Sequence, residues 1–220
     1  LAVTGVQTCA LPIYEHPGSR LSASNRARLV LERAEDAGPL AEALVAGGLP
    51  VAEVTFRTAA AAEAISIMAS RGDMLVGAGT VRTVAQVDQA VDAGANYIVS
   101  PGTSAAVVER ALERGVAVLP GAVTPTEIQA VLELGLDTVK FFPASTFGGP
   151  SAIKALAAPF AGVKFVPTGG IARSNLRDYL AVGAVAAVGG SWMVPADAIA
   201  AGDFDTVQRL TAEAVTAARQ

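Results

Sequence analysis

A chain of 220 residues can bury a sizeable core and is a natural length for one domain. With 52% hydrophobic residues but only 5% aromatics, that core must be built from Ala, Val, Leu and Ile, and a charged share of 16% leaves little for a disordered tail. A net charge of -4 without any block of basic residues argues against nucleic acid or an anionic membrane surface as a partner, and no apolar run is long enough to span a bilayer.

The first thirteen residues stand apart. The run Val3–Ile13 resembles the conceptual translation of a sequencing-adapter primer, has no amphipathic period and lacks the features of a signal peptide. We set residues 1–13 outside the fold as a probable adapter-derived, non-native segment, and with them Cys9, the single cysteine. One cysteine forms no intrachain disulfide, which fits a reducing cytoplasm. Residues 14–27 are polar and turn-rich and read as a loosely ordered N-terminal tail, and residues 28–220 as the folded domain.

From residue 28 one pattern repeats: an Ala-rich helix, a glycine stop, a short apolar run, then a Gly or Pro turn. The stops fall at Gly48, Gly72, Gly94, Gly115, Gly135, Gly162 and Gly183, spaced by 20 to 27 residues, the length of one helix plus one strand. The apolar runs that follow predict strands at 51–55, 74–76, 97–100, 116–119, 138–142, 163–167 and 185–188. A weaker first strand is expected at 29–31. Short strands separated by helices imply parallel pairing through crossover helices. Eight such units predict a single α/β domain of the (β/α)8 TIM-barrel class. An open doubly wound sheet fits less well, because no Gly-rich fingerprint follows the first strand.

Barrel enzymes place their chemistry on the loops at the carboxyl ends of the strands. The chain has three lysines. Lys154 falls in a helical pattern and Lys164 opens a strand, whereas Lys140 sits late in the apolar run Thr138-Val139-Lys140-Phe141-Phe142-Pro143. Burial disfavours an ammonium, and a neutral amine in an apolar pocket is what Schiff-base formation with a ketone requires. The alternative is a structural lysine paired with a buried carboxylate. In Glu53-Val54-Thr55-Phe56-Arg57, strand alternation puts Glu53, Thr55 and Arg57 on one face. Were that face the interior, Glu53 could move protons and Arg57 could grip a carboxylate or phosphate; otherwise the two form an ion pair that fixes the strand. Pro167-Thr168-Gly169-Gly170 and Gly189-Gly190-Ser191 end the last two strands, the recurrent phosphate position of this architecture. Gly77-Ala78-Gly79-Thr80 and Ser100-Pro101-Gly102 end the third and fourth strands. Thr80 offers a hydroxyl to a carboxylate, or caps the next helix. His16, the only histidine, lies in the tail, so neither a His-rich metal centre nor a Ser–His–Asp triad can be assembled.

Together, Glu53-Val54-Thr55-Phe56-Arg57-Thr58, Gly77-Ala78-Gly79-Thr80, Ser100-Pro101-Gly102, Lys140-Phe141-Phe142-Pro143-Ala144, Pro167-Thr168-Gly169-Gly170-Ile171 and Gly189-Gly190-Ser191-Trp192 resemble the KDPG/4-hydroxy-2-oxoglutarate aldolase family. The resemblance runs from about Ala34 to Ala214. It implies a metal- and cofactor-independent lyase in which Lys140 forms the Schiff base and Glu53 is the acid/base. Arg57 and Thr80 would hold the substrate carboxylate. Pro101, Phe142 and Thr168 would line the pocket, and Gly169, Gly170 and Ser191 would take a phosphate. It further implies a phosphorylated keto acid as substrate, a homotrimer, the cytoplasm and the Entner–Doudoroff route. The C4 epimer, an unphosphorylated substrate and a non-catalytic phosphosugar-binding barrel remain as alternatives. The chain departs from the family pattern in two places: Ser145 stands where the family has Glu, and the first strand is less rich in Val and Pro.

Overall fold

The computed structural model describes residues 25–219; the segment 1–13 and residues 14–24 of the expected tail lie outside the described residues. Strands and helices alternate in chain order. They begin β1 Asn25–Leu29, a 3-10 turn at Ala34–Asp36, α1 Ala37–Ala46, β2 Val51–Thr55, α2 Ala61–Ala69, β3 Leu75–Gly79, α3 Val84–Asp92, β4 Tyr97–Val99 and α4 Ala105–Glu113. They continue β5 Ala117–Leu119, α5 Pro125–Glu133, β6 Thr138–Phe141, α6 Gly149–Ala157, β7 Lys164–Pro167, α7 Leu176–Leu180, β8 Val188–Gly190, α8 Ala196–Ala201 and α9 Phe204–Arg219.

Every strand pair is parallel. The ladders form a six-stranded sheet in the order β5-β4-β3-β2-β1-β8 and a two-stranded sheet β6-β7, not one continuous eight-stranded ladder. Between the sheets stand isolated parallel bridges, Gly121 to Lys140 beyond β5, and Phe165 to Val185 and Thr168 to Gly189 between β7 and the β8 segment.

Alternation along the strands separates two apolar layers. Ala27 and Leu29 of β1, Ala52 and Val54 of β2, Val76 and Ala78 of β3 and Ile98 of β4 join the helices in one large buried cluster. Val139 and Phe141 of β6 and Phe165 of β7 form a second with α5, α6 and α7, where the Phe141 and Phe165 rings meet edge to face at 6.2 Å. The opposite strand face holds a smaller cluster of Val51, Tyr97, Val99, Leu119 and Val166. Helix starts follow local chemistry: Thr124 and Glu127 close a reciprocal capping box on α5, with Pro125 at its first turn.

Three sequence expectations need correction. The first strand spans Asn25–Leu29, so it begins inside the segment 14–27 assigned to the tail and ends where 29–31 was expected to begin. Backbone pairing to β2 and β8 on both sides outweighs the low strand propensity of its polar residues. The last strand is Val188–Gly190, so Gly189 and Gly190 lie within it, paired to Arg26 and Ala27. Six of the seven glycine stops have positive φ, but Gly183 does not and closes the shorter helix α7 by an ordinary turn.

Helix α9 closes the fold over the end of α1. A Cβ at Gly47 would lie 2.7 Å from Thr211 Cβ, so only glycine lets α9 approach this closely. Thr211 is fully buried there, and its hydroxyl has no hydrogen-bond partner among the described residues. An unmatched buried hydroxyl costs roughly 1–3 kcal/mol, while valine keeps the shape of the side chain. Thr211→Val is therefore expected to stabilise the chain by about 1 kcal/mol and raise Tm by ~2–4 °C in thermal melts. A lowered Tm would show that the hydroxyl is matched in solution.

Candidate active site

Lys140 and Glu53 meet in the interior. Both side chains are 4% exposed, and Lys140 Nζ donates to Glu53 Oε1 at 3.1 Å. The two possible faces of β2 are thereby resolved. Ala52 and Val54 pack outward against helices, and Glu53 and Thr55 turn inward. On β6, Val139 and Phe141 likewise face the helices and Lys140 faces in.

The carboxylate is held by what surrounds it. Glu53 pairs in register with Gly77, and Thr55 with Gly79. A Cβ at Gly79 would overlap Glu53 Oε1 and stand 2.7 Å from its Cγ and 2.8 Å from its Cδ. A Cβ at Gly77 would overlap the Tyr97 ring, whose hydroxyl donates to the Ala52 carbonyl at 2.8 Å, one residue before Glu53. The two glycines of β3 thus leave a shelf on which Tyr97 from one side and Glu53 from the other converge. Behind Lys140, its backbone N–H donates to Pro120 O at 2.8 Å and its carbonyl accepts from Ala122 N–H at 2.9 Å. Gly121 between them admits the Pro101 carbonyl, which places Pro101 beside the lysine strand.

Phe142 continues β6, and its ring centroid lies 5.4 Å from Lys140 Nζ. A cis peptide joins Phe142 to Pro143. Gly169 and Gly170 follow β7 with positive φ, and a Cβ at Gly169 would lie 3.2 Å from the Phe142 ring. Thr168 is buried and bridges to Gly189, so the ends of β6, β7 and β8 are stitched together beside the lysine. The turn carbonyls are tied: Ser145 N–H donates to Gly169 O at 3.1 Å and the Asn175 amide to Gly170 O at 3.0 Å. Ser145 therefore packs against the glycine turn through its backbone and its close approach to Gly170.

Arg57, Thr80 and Ser191 sit on the segments just after β2, β3 and β8, at the carboxyl ends of those strands. Phe56 N–H donates to Gly79 O at 2.7 Å, which binds the segments bearing Arg57 and Thr80 to each other. Among the described residues, Thr80 is the non-glycine residue with positive φ, at 58°. Backbone strain of this kind clusters at functional sites. The two other lysines lie elsewhere: Lys154 is exposed on α6, and Lys164 at the start of β7 reaches Gly183 O at 3.4 Å.

Sequence reading missed Arg28, Tyr97 and Asn175, and it named Gly79 only within the run that ends the third strand. Arg28 was taken as the edge of a weak strand, yet its guanidinium carbon lies 5.9 Å from the Phe142 ring centroid. The missed signal was two glycines at i and i+2 in β3, which mark close approach by neighbouring side chains. Among the described residues, no group of three or more His, Cys, Asp or Glu could hold a metal ion, and no helix is long and apolar enough to cross a membrane.

Comparison with known proteins agrees with this geometry. The family model described as KDPG and KHG aldolase matches residues 23–210. The 2-dehydro-3-deoxy-phosphogluconate aldolase of Treponema pallidum (strain Nichols) is 53% identical over 184 residues, covering 83% of this chain and 88% of that protein. The KHG/KDPG aldolase of Escherichia coli (strain K12) is 45% identical over 192 residues, covering 87% and 90%. Among solved structures, KDPG aldolase from Legionella pneumophila, with pyruvate captured as a covalent carbinolamine intermediate, superposes with a TM-score of 0.85 at 40% identity, covering 88% of this chain and 94% of that one. The Zymomonas mobilis ZM4 enzyme with 3-phosphoglycerate gives 0.83 at 45% identity, covering 88% and 91%. The chain is a member of the KDPG and KHG aldolase family.

Proposed function

We propose that this chain is a Schiff-base aldolase that cleaves 2-keto-3-deoxy-6-phosphogluconate into pyruvate and glyceraldehyde 3-phosphate, with 4-hydroxy-2-oxoglutarate as a second substrate. The observation that carries this reading is the buried Lys140–Glu53 pair at 3.1 Å. Proton transfer from Lys140 to Glu53 frees the amine to attack the C2 ketone and form a carbinolamine. Loss of water, with Glu53 supplying the proton, leaves a protonated imine. The imine accepts the electron pair released when the C3–C4 bond breaks and the C4 hydroxyl gives up its proton. The resulting enamine is protonated at C3, and hydrolysis returns the amine and releases pyruvate.

Around this centre the strand ends supply binding groups. Arg57 and Thr80, on neighbouring strands, would take the pyruvate carboxylate. Pro101, Phe142 and Thr168 would pack on the reacting carbons, and Gly169, Gly170 and Ser191 would hold the phosphate. The isolated bridges flanking β6 and β7 favour closure of the eight strands, β1 included from Asn25, into one (β/α)8 barrel. A cytoplasmic homotrimer fits the family resemblance, and setting residues 1–13 aside as non-native leaves every residue named here in place.

Wild type is expected to release pyruvate from 2-keto-3-deoxy-6-phosphogluconate in excess EDTA, and Lys140→Met to lose at least about 10³-fold in kcat. Borohydride with pyruvate should label the Lys140 peptide. Activity abolished by EDTA, or retained by Lys140→Met, overturns the mechanism.

The β3 shelf gives a second test. Gly79 lacks a positive φ, so Gly79→Ala leaves the backbone unstrained and displaces the Glu53 side chain. A displacement of ~1 Å costs on the order of 10²-fold in kcat. Combined with Glu53→Gln, the same change should add little; a full additive loss would show that Gly79 acts by another route.

A further inference from the structure

The pair Lys140–Glu53 leaves another cation facing the same interior. Ala27 and Leu29 pack outward with Ala52 and Val54, so alternation turns Arg28 inward, level with its register partner Glu53. Its guanidinium carbon lies 5.9 Å from the centroid of the Phe142 ring, and Lys140 Nζ lies 5.4 Å from that same centroid. On its other side β1 pairs with β8 through Ala27 and Gly190, which brings Arg28 level with Ser191. Arg28 therefore stands between the strand bearing the carboxylate and the strand end bearing Gly190 and Ser191.

Arg28 is half-buried, and among the described residues no carboxylate comes within ion-pair distance of it; the neighbouring Glu53 carboxylate is engaged by Lys140. A partly desolvated guanidinium without a counter-ion is unfavourable on its own. Its planar fork matches a phosphate or a carboxylate in a bidentate geometry that lysine does not reproduce. The ring of Phe142 beneath it adds a weak cation–π contact and limits the directions in which it reaches.

We propose that Arg28 is a specificity-determining residue that binds an anionic group carried by the substrate beyond the bond that is cleaved. This rests on the aldolase reading. The anion is a phosphate ester on a six-carbon keto acid, or the second carboxylate of a shorter dicarboxylic keto acid. Either way the charged tail is drawn to the β1–β8 side of the mouth, with the keto-acid carboxylate directed to the side of Arg57.

The test compares pyruvate release by wild type, Arg28→Met and Arg28→Lys from three substrates. These are 2-keto-3-deoxy-6-phosphogluconate, 4-hydroxy-2-oxoglutarate and the unphosphorylated 2-keto-3-deoxygluconate, whose tail is neutral. The ratio of kcat/KM for a charged-tail substrate to that for the neutral-tail substrate should fall roughly ten- to a hundredfold in Arg28→Met, with part of it regained in Arg28→Lys. The charged substrate whose ratio falls further identifies the tail as phosphate or carboxylate. Borohydride trapping of pyruvate should match wild type, because pyruvate has no such tail. Equal losses on all three substrates, or impaired trapping, would place Arg28 at the keto-acid end or in the packing of β1 and overturn the proposal. Unchanged ratios overturn it as well. Should Arg28→Met fail to fold by circular dichroism, the ratio in Arg28→Lys decides, an unchanged value sinking the proposal. A wild type that neither releases pyruvate nor forms a borohydride adduct defeats the aldolase reading itself, and this inference with it.

Discussion

The structure is organised around one ion pair that a stability argument alone would not choose. Lys140 and Glu53 face each other at 3.1 Å with almost no exposure, on a strand face otherwise lined by apolar residues such as Val51, Tyr97, Val99, Leu119 and Val166. Taking both charges out of water costs several kcal/mol per ion, and their attraction returns that cost only when the geometry is well held. Much of the neighbouring architecture serves that geometry. The alternation of β2 and β6 aims both side chains inward, and the absence of Cβ atoms on Gly77 and Gly79 gives room to Tyr97 and to the carboxylate. The Tyr97 hydroxyl anchors the Ala52 carbonyl next to Glu53.

Parallel pairing explains why the remaining groups gather at one end. All the strands run the same way, so Arg57, Thr80, Pro101, Phe142, Gly169 and Ser191, which follow the carboxyl ends of their strands, lie on the same side although they are spread across most of the chain. The opposite ends carry the glycine stops and short returns from the helices, where six glycines take left-handed φ.

Much of this was legible in the sequence. The run Val51–Thr55 is buried throughout and coincides with the observed strand, because five consecutive residues of a central strand have two covered faces. Lys140 stood out because a lysine late in an apolar strand has few structural explanations. The face of β2 was not legible, since Glu53, Thr55 and Arg57 share one side whichever way that side points. The large helix-facing cluster decides it, and that cluster is a property of three-dimensional packing. Residues 25–29 were misread for the opposite reason: Asn25, Arg26 and Arg28 argue against a strand locally, and only pairing with both β2 and β8 makes them one. Gly79 was read only as part of the run ending the third strand, and the space that it leaves for Glu53 is visible only in three dimensions.

The same pair separates stability from function in a way that single substitutions expose. Removing one member of a buried ion pair leaves the other charged and unmatched, at a cost of about 3–5 kcal/mol, whereas replacing both by apolar groups of similar volume is often neutral or stabilising. Lys140→Met with Glu53 intact is thus expected to melt lower than wild type, and Lys140→Met combined with Glu53→Leu to recover that loss while remaining inactive. A pair whose joint removal leaves the fold sound but ends turnover is retained for chemistry. A double variant that melts lower than either single one would instead make the pair a structural clamp, and the inward turn of β2 and β6 a matter of packing.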